Sequence, residues 1–237
     1  IGRSLARRIA AGGAPVALLA RRAELLDSLA AEIEAGGGHA VALVCDVTDP
    51  AAVRSAIATA ETRFGPTACL IANAGGTAGK SDSIFDPEQF RRSIELNLMG
   101  VANCVAAVLP GMLARRAGHI VATSSLAGYR GLPGSAAYSA AKAGVTNFLE
   151  SLRIDLRGTG VDVTVLAPGF ARTKLGGKQG KTFLLELEPA VERMHRAIEQ
   201  RRPFYAFPKS LVALVWLGRL LPARLYDRLL SGRKGVG

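Results

Sequence analysis

Short, almost continuously apolar runs alternate with longer amphipathic stretches along this 237-residue chain. A strand that is apolar at every position is buried on both faces, and such strands belong to parallel sheets covered by helices. The alternation therefore predicts an α/β fold built on a doubly wound parallel sheet with helices on both faces. The predicted strands are Pro15–Ala20, His39–Val47, His119–Thr123 and Pro203–Phe207. Two further strands each run into a loop, within Thr67–Gly76 and Val161–Phe170.

The composition fits one domain with a sizeable core, since 49% of the residues are hydrophobic. The three cysteines, Cys45, Cys69 and Cys104, are far apart and show no metal-ligand spacing. Their odd number argues against a disulfide framework, which favours a reducing cytoplasm.

Tyr138 and Lys142 lie four residues apart in a predicted helix that starts near Ser135, and Ser125 precedes them in a Ser/Gly loop. Residues at this spacing share one helix face. A tyrosine has an ordinary pKa of about 10, and a nearby lysine cation would lower it. The phenol could then exchange a proton with a substrate oxygen that the serine hydroxyl holds. The alternative is an ordinary Tyr/Lys pair on an amphipathic helix.

The serine followed by Tyr-x-x-x-Lys resembles the active-site signature of the short-chain dehydrogenase/reductase family. The resemblance implies a Rossmann-like fold in which Tyr138 protonates the substrate oxygen and Lys142 binds the nicotinamide ribose. It further implies that Ser125 holds the substrate oxygen. Asn97, in a predicted helix, would help to hold a water that connects the lysine to solvent. These four residues are the predicted catalytic set.

The chain opens directly on a predicted helix. In the family a first strand and a glycine-rich turn of the type T-G-x-x-x-G-x-G come earlier, and Ile1 and Gly2 match the last two positions of that turn. The resemblance therefore implies that this sequence lacks the first strand and most of the phosphate-binding turn. Ile1 and Gly2 are predicted to contact the cofactor.

Arg21 follows the first predicted strand, and Ala20 stands where an acid would hold the ribose 2′-hydroxyl of NAD(H). Because arginine suits a phosphate group, NADP(H) is predicted as the preferred cofactor and NAD(H) as the alternative. Arg21 and Arg22 could instead be solvated residues that open a helix, and Asp46 could be an ordinary turn residue. The further cofactor contacts that the resemblance implies are Asp46, Val47, Asn73, Ala74, Gly75, Tyr138, Lys142, Pro168, Gly169, Phe170 and Thr173.

The C-terminal part is strongly basic. From Arg201 to Gly237 it contains eight Arg or Lys residues and a single acid, Asp227, in a chain of formal net charge +11. Residues 1–207 are predicted to form the NAD(P)-binding catalytic domain, and residues 208–237 a basic amphipathic helical extension. The apolar run Leu211–Leu217 is too short for a membrane span, which needs about 20 residues.

Two hypotheses stay open for this extension: packing on the protein, where it would cover the substrate pocket or a subunit interface, or contact with an anionic membrane surface. Nucleic-acid binding is not predicted, because no recognition motif or aromatic stacking pattern accompanies the charge.

The resemblance predicts an NADP(H)-dependent oxidoreductase that interconverts a carbonyl and a secondary alcohol. The loop Arg172–Leu187 is predicted to cover the substrate, and its apolar Phe183, Leu184 and Leu185 favour a hydrophobic one. A cytoplasmic homodimer or homotetramer is expected. The alternative is a non-catalytic scaffold that binds a dinucleotide or a membrane.

Overall fold

The computed structural model of the chain describes residues 1–76, 84–169 and 185–231, which form six β-strands and nine α-helices. The strands are β1 (Val16–Ala20), β2 (Ala40–Val44), β3 (Cys69–Ala72), β4 (Gly118–Thr123), β5 (Val161–Pro168) and β6 (Phe204–Phe207). The helices are α1 (Gly2–Ala11), α2 (Ala23–Ala35), α3 (Pro50–Phe64), α4 (Pro87–Ile94), α5 (Gly100–Ala114), α6 (Ala136–Asp155), α7 (Leu187–Glu199), α8 (Lys209–Leu220) and α9 (Ala223–Ser231). Each predicted strand is present to within a few residues.

Every strand pair in the described residues is parallel, as the apolar runs predict. β1 pairs with β2, whereas β3, β4, β5 and β6 pair side by side in that order. All six residues of β4 are buried, because helices cover this strand on both faces. Ile120 and Ala122 belong to one core cluster and Val121 to another, since successive side chains of a strand point to opposite faces. This is the predicted Rossmann-like arrangement.

The helices divide between the two faces of the four-stranded sheet. One core cluster takes Val53 from α3, Val105 from α5 and Val145 from α6. The opposite cluster takes Leu5 from α1 and Met194 from α7.

Helix α1 also packs on the pair β1–β2. Ala10, near its C-terminal end, lies in a third cluster with Leu18 of β1 and Leu26 of α2. Leu5 of the same helix belongs to the cluster on β4 and β5, so α1 packs on both the two-stranded and the four-stranded sheet. Its N-terminus is thereby fixed near the carboxyl end of β3, where Gly2 lies against the amide of Asn73.

A π-helical turn, Glu95–Met99, joins α4 to α5. The sequence predicts one long helical region with a break near Gly100. The helix instead continues through this point, and the irregularity lies one turn earlier, around Asn97. π-turns inside α-helices frequently mark functional sites. Gly100 has a packing role, because a Cβ there would lie 2.7 Å from Cγ2 of Val47.

The helical stretch Pro87–Ala114 is long and apolar enough, by length and composition, to span a membrane. Its inward side nevertheless packs in the protein core, where Val101, Val105, Val108 and Met112 are buried. Core helices of soluble domains satisfy the same criterion, so this stretch is only weak evidence for a membrane span.

The C-terminal extension forms two helices, α8 and α9, with Pro222 between them. Leu211 of α8 is buried against Leu126 and Ala167, so the extension packs on the main body of the protein. The division into residues 1–207 and 208–237 stays a prediction.

Candidate active site

Ser125 and Tyr138 meet at the carboxyl end of β4. Ser125 begins a short 3-10 turn, and its hydroxyl accepts a hydrogen bond from the main-chain N–H of Ala127 over 3.1 Å. Tyr138 lies in the first turn of α6, and the Ser125 side chain is close enough to its phenol to favour the phenolate. The structure therefore brings together Ser125 and Tyr138, two members of the predicted catalytic set.

Lys142 lies one turn further along α6 and is only 3% exposed. Its ammonium donates a hydrogen bond to the main-chain oxygen of Thr123 over 2.8 Å, and Nζ lies 5.7 Å from the centroid of the Tyr138 ring. Burial lowers the pKa of Lys142 from 10.5 to about 8. At neutral pH the lysine still carries its charge.

The pKa of Tyr138 shifts in the direction opposite to the one expected from the sequence. Burial raises the pKa of the phenol above its ordinary value, and the nearby Ser125 side chain offsets only part of this. The expectation that the lysine lowers the tyrosine pKa is not met here, because the cost of burying a phenolate is the larger effect. At neutral pH the phenol therefore keeps its proton.

Asn97 is fully buried in the π-turn and holds the loop that follows β3. Its Nδ2 donates to the main-chain oxygen of Gly76 over 2.8 Å and to that of Ser93 over 3.0 Å. Its Oδ1 accepts from the N–H of Gly76 over 3.0 Å. The amide therefore has a structural role in this loop, and the predicted support of a water stays a prediction.

Gly75 lies where three parts of the site meet. A Cβ at this position would lie 2.8 Å from Oδ1 of Asn97 and 3.1 Å from Nζ of Lys142. A side chain of any size would displace one of these groups, so this position requires glycine for a specific physical reason.

Asn73 connects the same loop to β4 and α1. Its Oδ1 accepts a hydrogen bond from the Thr123 hydroxyl over 3.1 Å. A Cβ on Gly2 would lie 2.8 Å from its Nδ2. Asn73 and Gly2 are therefore neighbours, as two residues of one cofactor site should be. Ala74, also predicted to contact the cofactor, is exposed beside them.

Arg21 and Asp46 lie at the carboxyl ends of the neighbouring strands β1 and β2 and approach to 3.7 Å. The arginine side chain is 68% exposed, which leaves its guanidinium accessible. Asp46 accepts hydrogen bonds from the N–H and the hydroxyl of Thr48. The pKa of the Asp46 carboxyl is lowered mainly by the hydrogen bond from the N–H of Thr48, and Arg21 lowers it further. Asp46 is thus a turn residue as well as a partner of Arg21, while Val47 beside it is buried.

Pro168 and Gly169 lie at the end of β5. The N–H of Gly169 donates to the main-chain oxygen of Phe207 over 2.8 Å, and a Cβ on Gly169 would lie 2.7 Å from Cδ2 of Leu211. This strand end is therefore closely packed against β6 and α8. Phe170, Thr173 and most of the predicted substrate loop lie outside the described residues.

Two residues of the site were not predicted. Thr123 provides the oxygen that binds Lys142 and the hydroxyl that binds Asn73. Ser124 is buried, and its hydroxyl contacts the main-chain oxygen of Lys142 over 2.9 Å and the Thr146 hydroxyl over 2.7 Å. The signal available in the sequence was a run of three hydroxyl residues at the end of an apolar strand.

The residues present fit a dinucleotide. α1 begins at Gly2, beside Asn73, and has no acid in its first turn, so the positive end of its dipole favours an anion. Gly75 lets the backbone approach Lys142 closely, and Arg21 places an exposed guanidinium at the carboxyl end of β1. These groups would hold the phosphates and riboses of such a cofactor along one edge of the sheet.

A sequence model of the short chain dehydrogenase family matches residues 1–182. A relative from Myxococcus xanthus (strain DK1622), named an uncharacterized oxidoreductase, is 38% identical over 229 residues. The match covers 96% of this chain and 90% of the relative. The fold and the site thus define an NAD(P)-binding oxidoreductase, and the chain belongs to the short chain dehydrogenase family.

Two solved structures share the fold. A short chain dehydrogenase/reductase from Burkholderia phymatum in complex with NAD has a TM-score of 0.81 and 26% identity, covering 97% of this chain and 90% of its own. An alcohol dehydrogenase from the archaeon Thermococcus sibiricus complexed with 5-hydroxy-NADP has a TM-score of 0.77 and 25% identity, covering 87% and 90%. One similar structure thus contains NAD and the other an NADP derivative.

Proposed function

We propose that the protein is an NADP(H)-dependent oxidoreductase that interconverts a carbonyl compound and a secondary alcohol, with a hydrophobic substrate. The observation that carries the proposal is the Tyr138 phenol, with the Ser125 side chain acting on it and the buried ammonium of Lys142 5.7 Å from its ring centroid. A proton donor, a second hydroxyl and a fixed cation around one point are what a developing alkoxide requires.

Each residue has a defined task in reduction. When bound, the dinucleotide would supply the hydride that the carbonyl carbon receives. Tyr138, which keeps its proton at neutral pH, donates that proton to the substrate oxygen, and Ser125 holds this oxygen by a hydrogen bond. The charge of Lys142 stabilises the phenolate that remains. Oxidation of the alcohol needs the deprotonated phenol, so it is expected to speed up as the pH rises.

Arg21 supports the preference for NADP(H). Its exposed guanidinium follows β1, and Ala20 leaves no acid at the strand end to repel a phosphate. Asp46, 3.7 Å away, neutralises part of its charge, so a moderate preference is expected.

The fold and chemistry of the family are compatible with a cytoplasmic homodimer or homotetramer, which we include in the proposal. Intact Ser125, Tyr138 and Lys142 favour an enzyme over a non-catalytic scaffold.

Replacement of the tyrosine tests the proposal. Turnover of the full chain is measured as NADPH oxidation against a panel of aliphatic and aromatic ketones, and NADPH binding by fluorescence titration. Tyr138→Phe is expected to lose at least about 100-fold in turnover and to retain NADPH binding. Tyr205→Phe, a tyrosine stacked on Phe207, is the matched control and should stay active. Undiminished turnover of Tyr138→Phe would exclude the assigned acid, and NADPH binding by a wild type inactive on every ketone would favour the scaffold.

A further inference from the structure

Helix α8 is apolar on both of its sides. Leu211, Val212 and Val215 face the protein and pack with a buried cluster at the end of β5. Leu214, Trp216, Leu217 and Leu220 lie on the opposite side and are 54–69% exposed. A helix that is apolar all round is normally buried on every side, in a protein core or in a membrane.

Helix α9 adds two exposed leucines, Leu225 and Leu229. Its Tyr226 faces the protein instead, where the hydroxyl donates to the main-chain oxygen of Gly131 over 2.8 Å. The C-terminal apolar surface is defined here as the six exposed large side chains of the two helices: Leu214, Trp216, Leu217, Leu220, Leu225 and Leu229.

Arg130 holds the two helices on the protein. Its guanidinium donates hydrogen bonds to the main-chain oxygens of Gly218 and Leu221, at the end of α8. It also stacks on the Tyr226 ring of α9, with 3.8 Å between Cζ and the ring centroid. The C-terminal apolar surface therefore belongs to a docked part of the fold, presented outward by specific contacts.

The charges of these two helices are almost all positive. Lys209, Arg219, Arg224 and Arg228 accompany one acid, Asp227, in α8 and α9. Within the described residues, none of the four cations forms an ion pair. Unpaired cations together with exposed leucines and a tryptophan suit a partner that has an apolar interior and an anionic surface.

We propose that the C-terminal apolar surface docks on a lipid bilayer that contains anionic headgroups. The leucines and Trp216 enter the boundary between headgroups and acyl chains, and the four cations contact lipid phosphates and carboxylates. A second copy of the chain fits less well, because a symmetric contact would bring the same cations face to face. The inference does not depend on the proposed reaction.

Vesicle binding by the full chain tests the inference. The chain has a single tryptophan, Trp216, so its fluorescence reports on this surface alone. Vesicles of phosphatidylcholine and phosphatidylserine in equal amounts are expected to shift the emission to shorter wavelength and to sediment the protein. Pure phosphatidylcholine should bind at least about tenfold more weakly, and high salt should remove this difference.

Two double variants separate the apolar from the electrostatic part while keeping Trp216. Leu217→Ser/Leu220→Ser should weaken binding to the mixed vesicles at least about 30-fold. Arg224→Gln/Arg228→Gln should weaken it about tenfold and leave binding to pure phosphatidylcholine unchanged. Leu25→Ser, at an exposed leucine of α2, is the matched control and should bind as the wild type does. Circular dichroism checks that each variant is folded.

The inference is overturned if the wild type shows neither an emission shift nor sedimentation with the mixed vesicles. It is equally overturned if Leu217→Ser/Leu220→Ser binds them as the wild type does. A smaller particle size of that variant by light scattering, without vesicle binding by the wild type, would identify the surface as a contact between copies of the chain.

Discussion

Lys142 donates a hydrogen bond from its ammonium group to the main-chain oxygen of Thr123, with 2.8 Å between Nζ and O. Thr123 is the last residue of β4, so a buried cation ties helix α6 to the end of a central strand. The contact fixes the orientation of the helix face that also carries Tyr138. Burying a cation costs free energy, which is why the pKa of Lys142 falls from 10.5 to about 8.

This buried amine is expected to make stability depend on alkaline pH. Below pH 8 the lysine is charged in both the folded and the unfolded chain, so the cost of burial is constant. Between pH 8 and 10.5 the folded chain loses this proton while the unfolded chain keeps it, and stability rises with pH. The complete gain would be at most about 3 kcal/mol, following from the size of the pKa shift.

Urea unfolding of the wild type and Lys142→Met at pH 7.5 and pH 9.5 measures this gain. The free energy of unfolding of the wild type should rise relative to that of the variant by about 2 kcal/mol over this interval. Lys209→Met, at an exposed lysine of α8, is the control, and its profile should run parallel to that of the wild type. Parallel profiles for Lys142→Met as well would contradict the assignment of a buried, destabilised ammonium.

Gly75→Ala is expected to reduce turnover at least about tenfold. The new methyl group would lie 2.8 Å from Oδ1 of Asn97 and 3.1 Å from Nζ of Lys142. Neither neighbour can retreat easily because both are buried and hydrogen-bonded, so strain of about 1–3 kcal/mol is expected. Gly131→Ala is the control, since a Cβ there meets nothing within 4 Å. Steady-state kinetics and thermal unfolding of both variants check this, and equal turnover in the two would contradict it.

Many elements of the fold could be predicted because their signals are local. The apolar runs predicted the strands. A local signal also marks the start of α3, since Asp49 precedes Pro50 and its carboxylate accepts hydrogen bonds from the N–H groups of Ala51 and Ala52. The pair Tyr138 and Lys142 was recognisable because their spacing fixes a shared helix face.

The features that were missed depend on contacts distant in sequence. Thr123 and Ser124 acquire their roles only when α6 packs against β4. Asn97 in the π-turn is hydrogen-bonded to Gly76, in a loop some twenty residues earlier in the chain. The local sequence around Asn97 does not predict this π-turn. The raised pKa of Tyr138 follows from how deeply the phenol is buried, which residue spacing does not report.

Arg21→Ala is expected to weaken NADPH binding roughly 10- to 100-fold, the loss of a charge-assisted contact with phosphate. NADH lacks the 2′-phosphate, so its dissociation constant should change little. Arg22→Ala is the matched control at the neighbouring exposed arginine. Fluorescence titration of the wild type and both variants with both nucleotides gives the six dissociation constants. An equal loss for NADPH and NADH in Arg21→Ala would show that the arginine acts on a part common to both cofactors.

Arg130→Leu is expected to loosen the C-terminal helices. The variant loses the hydrogen bonds to Gly218 and Leu221 and the stacking on Tyr226. Hydrogen exchange of the amides in 219–230 should therefore speed up at least about tenfold. Turnover should fall as well, because Arg130 lies in the loop between Ser125 and Tyr138 and the helices anchor that loop.

The control for this variant is an arginine with a similar contact elsewhere. Arg116 donates to the main-chain oxygen of Gly158 over 2.7 Å, in another part of the fold. Arg116→Leu should leave exchange in 219–230 and turnover unchanged. If exchange there is also unchanged in Arg130→Leu, the apolar packing of Leu211 alone holds the helices. If exchange rises while turnover does not, the loop between Ser125 and Tyr138 is positioned by its own contacts, and the helices serve the outer surface only.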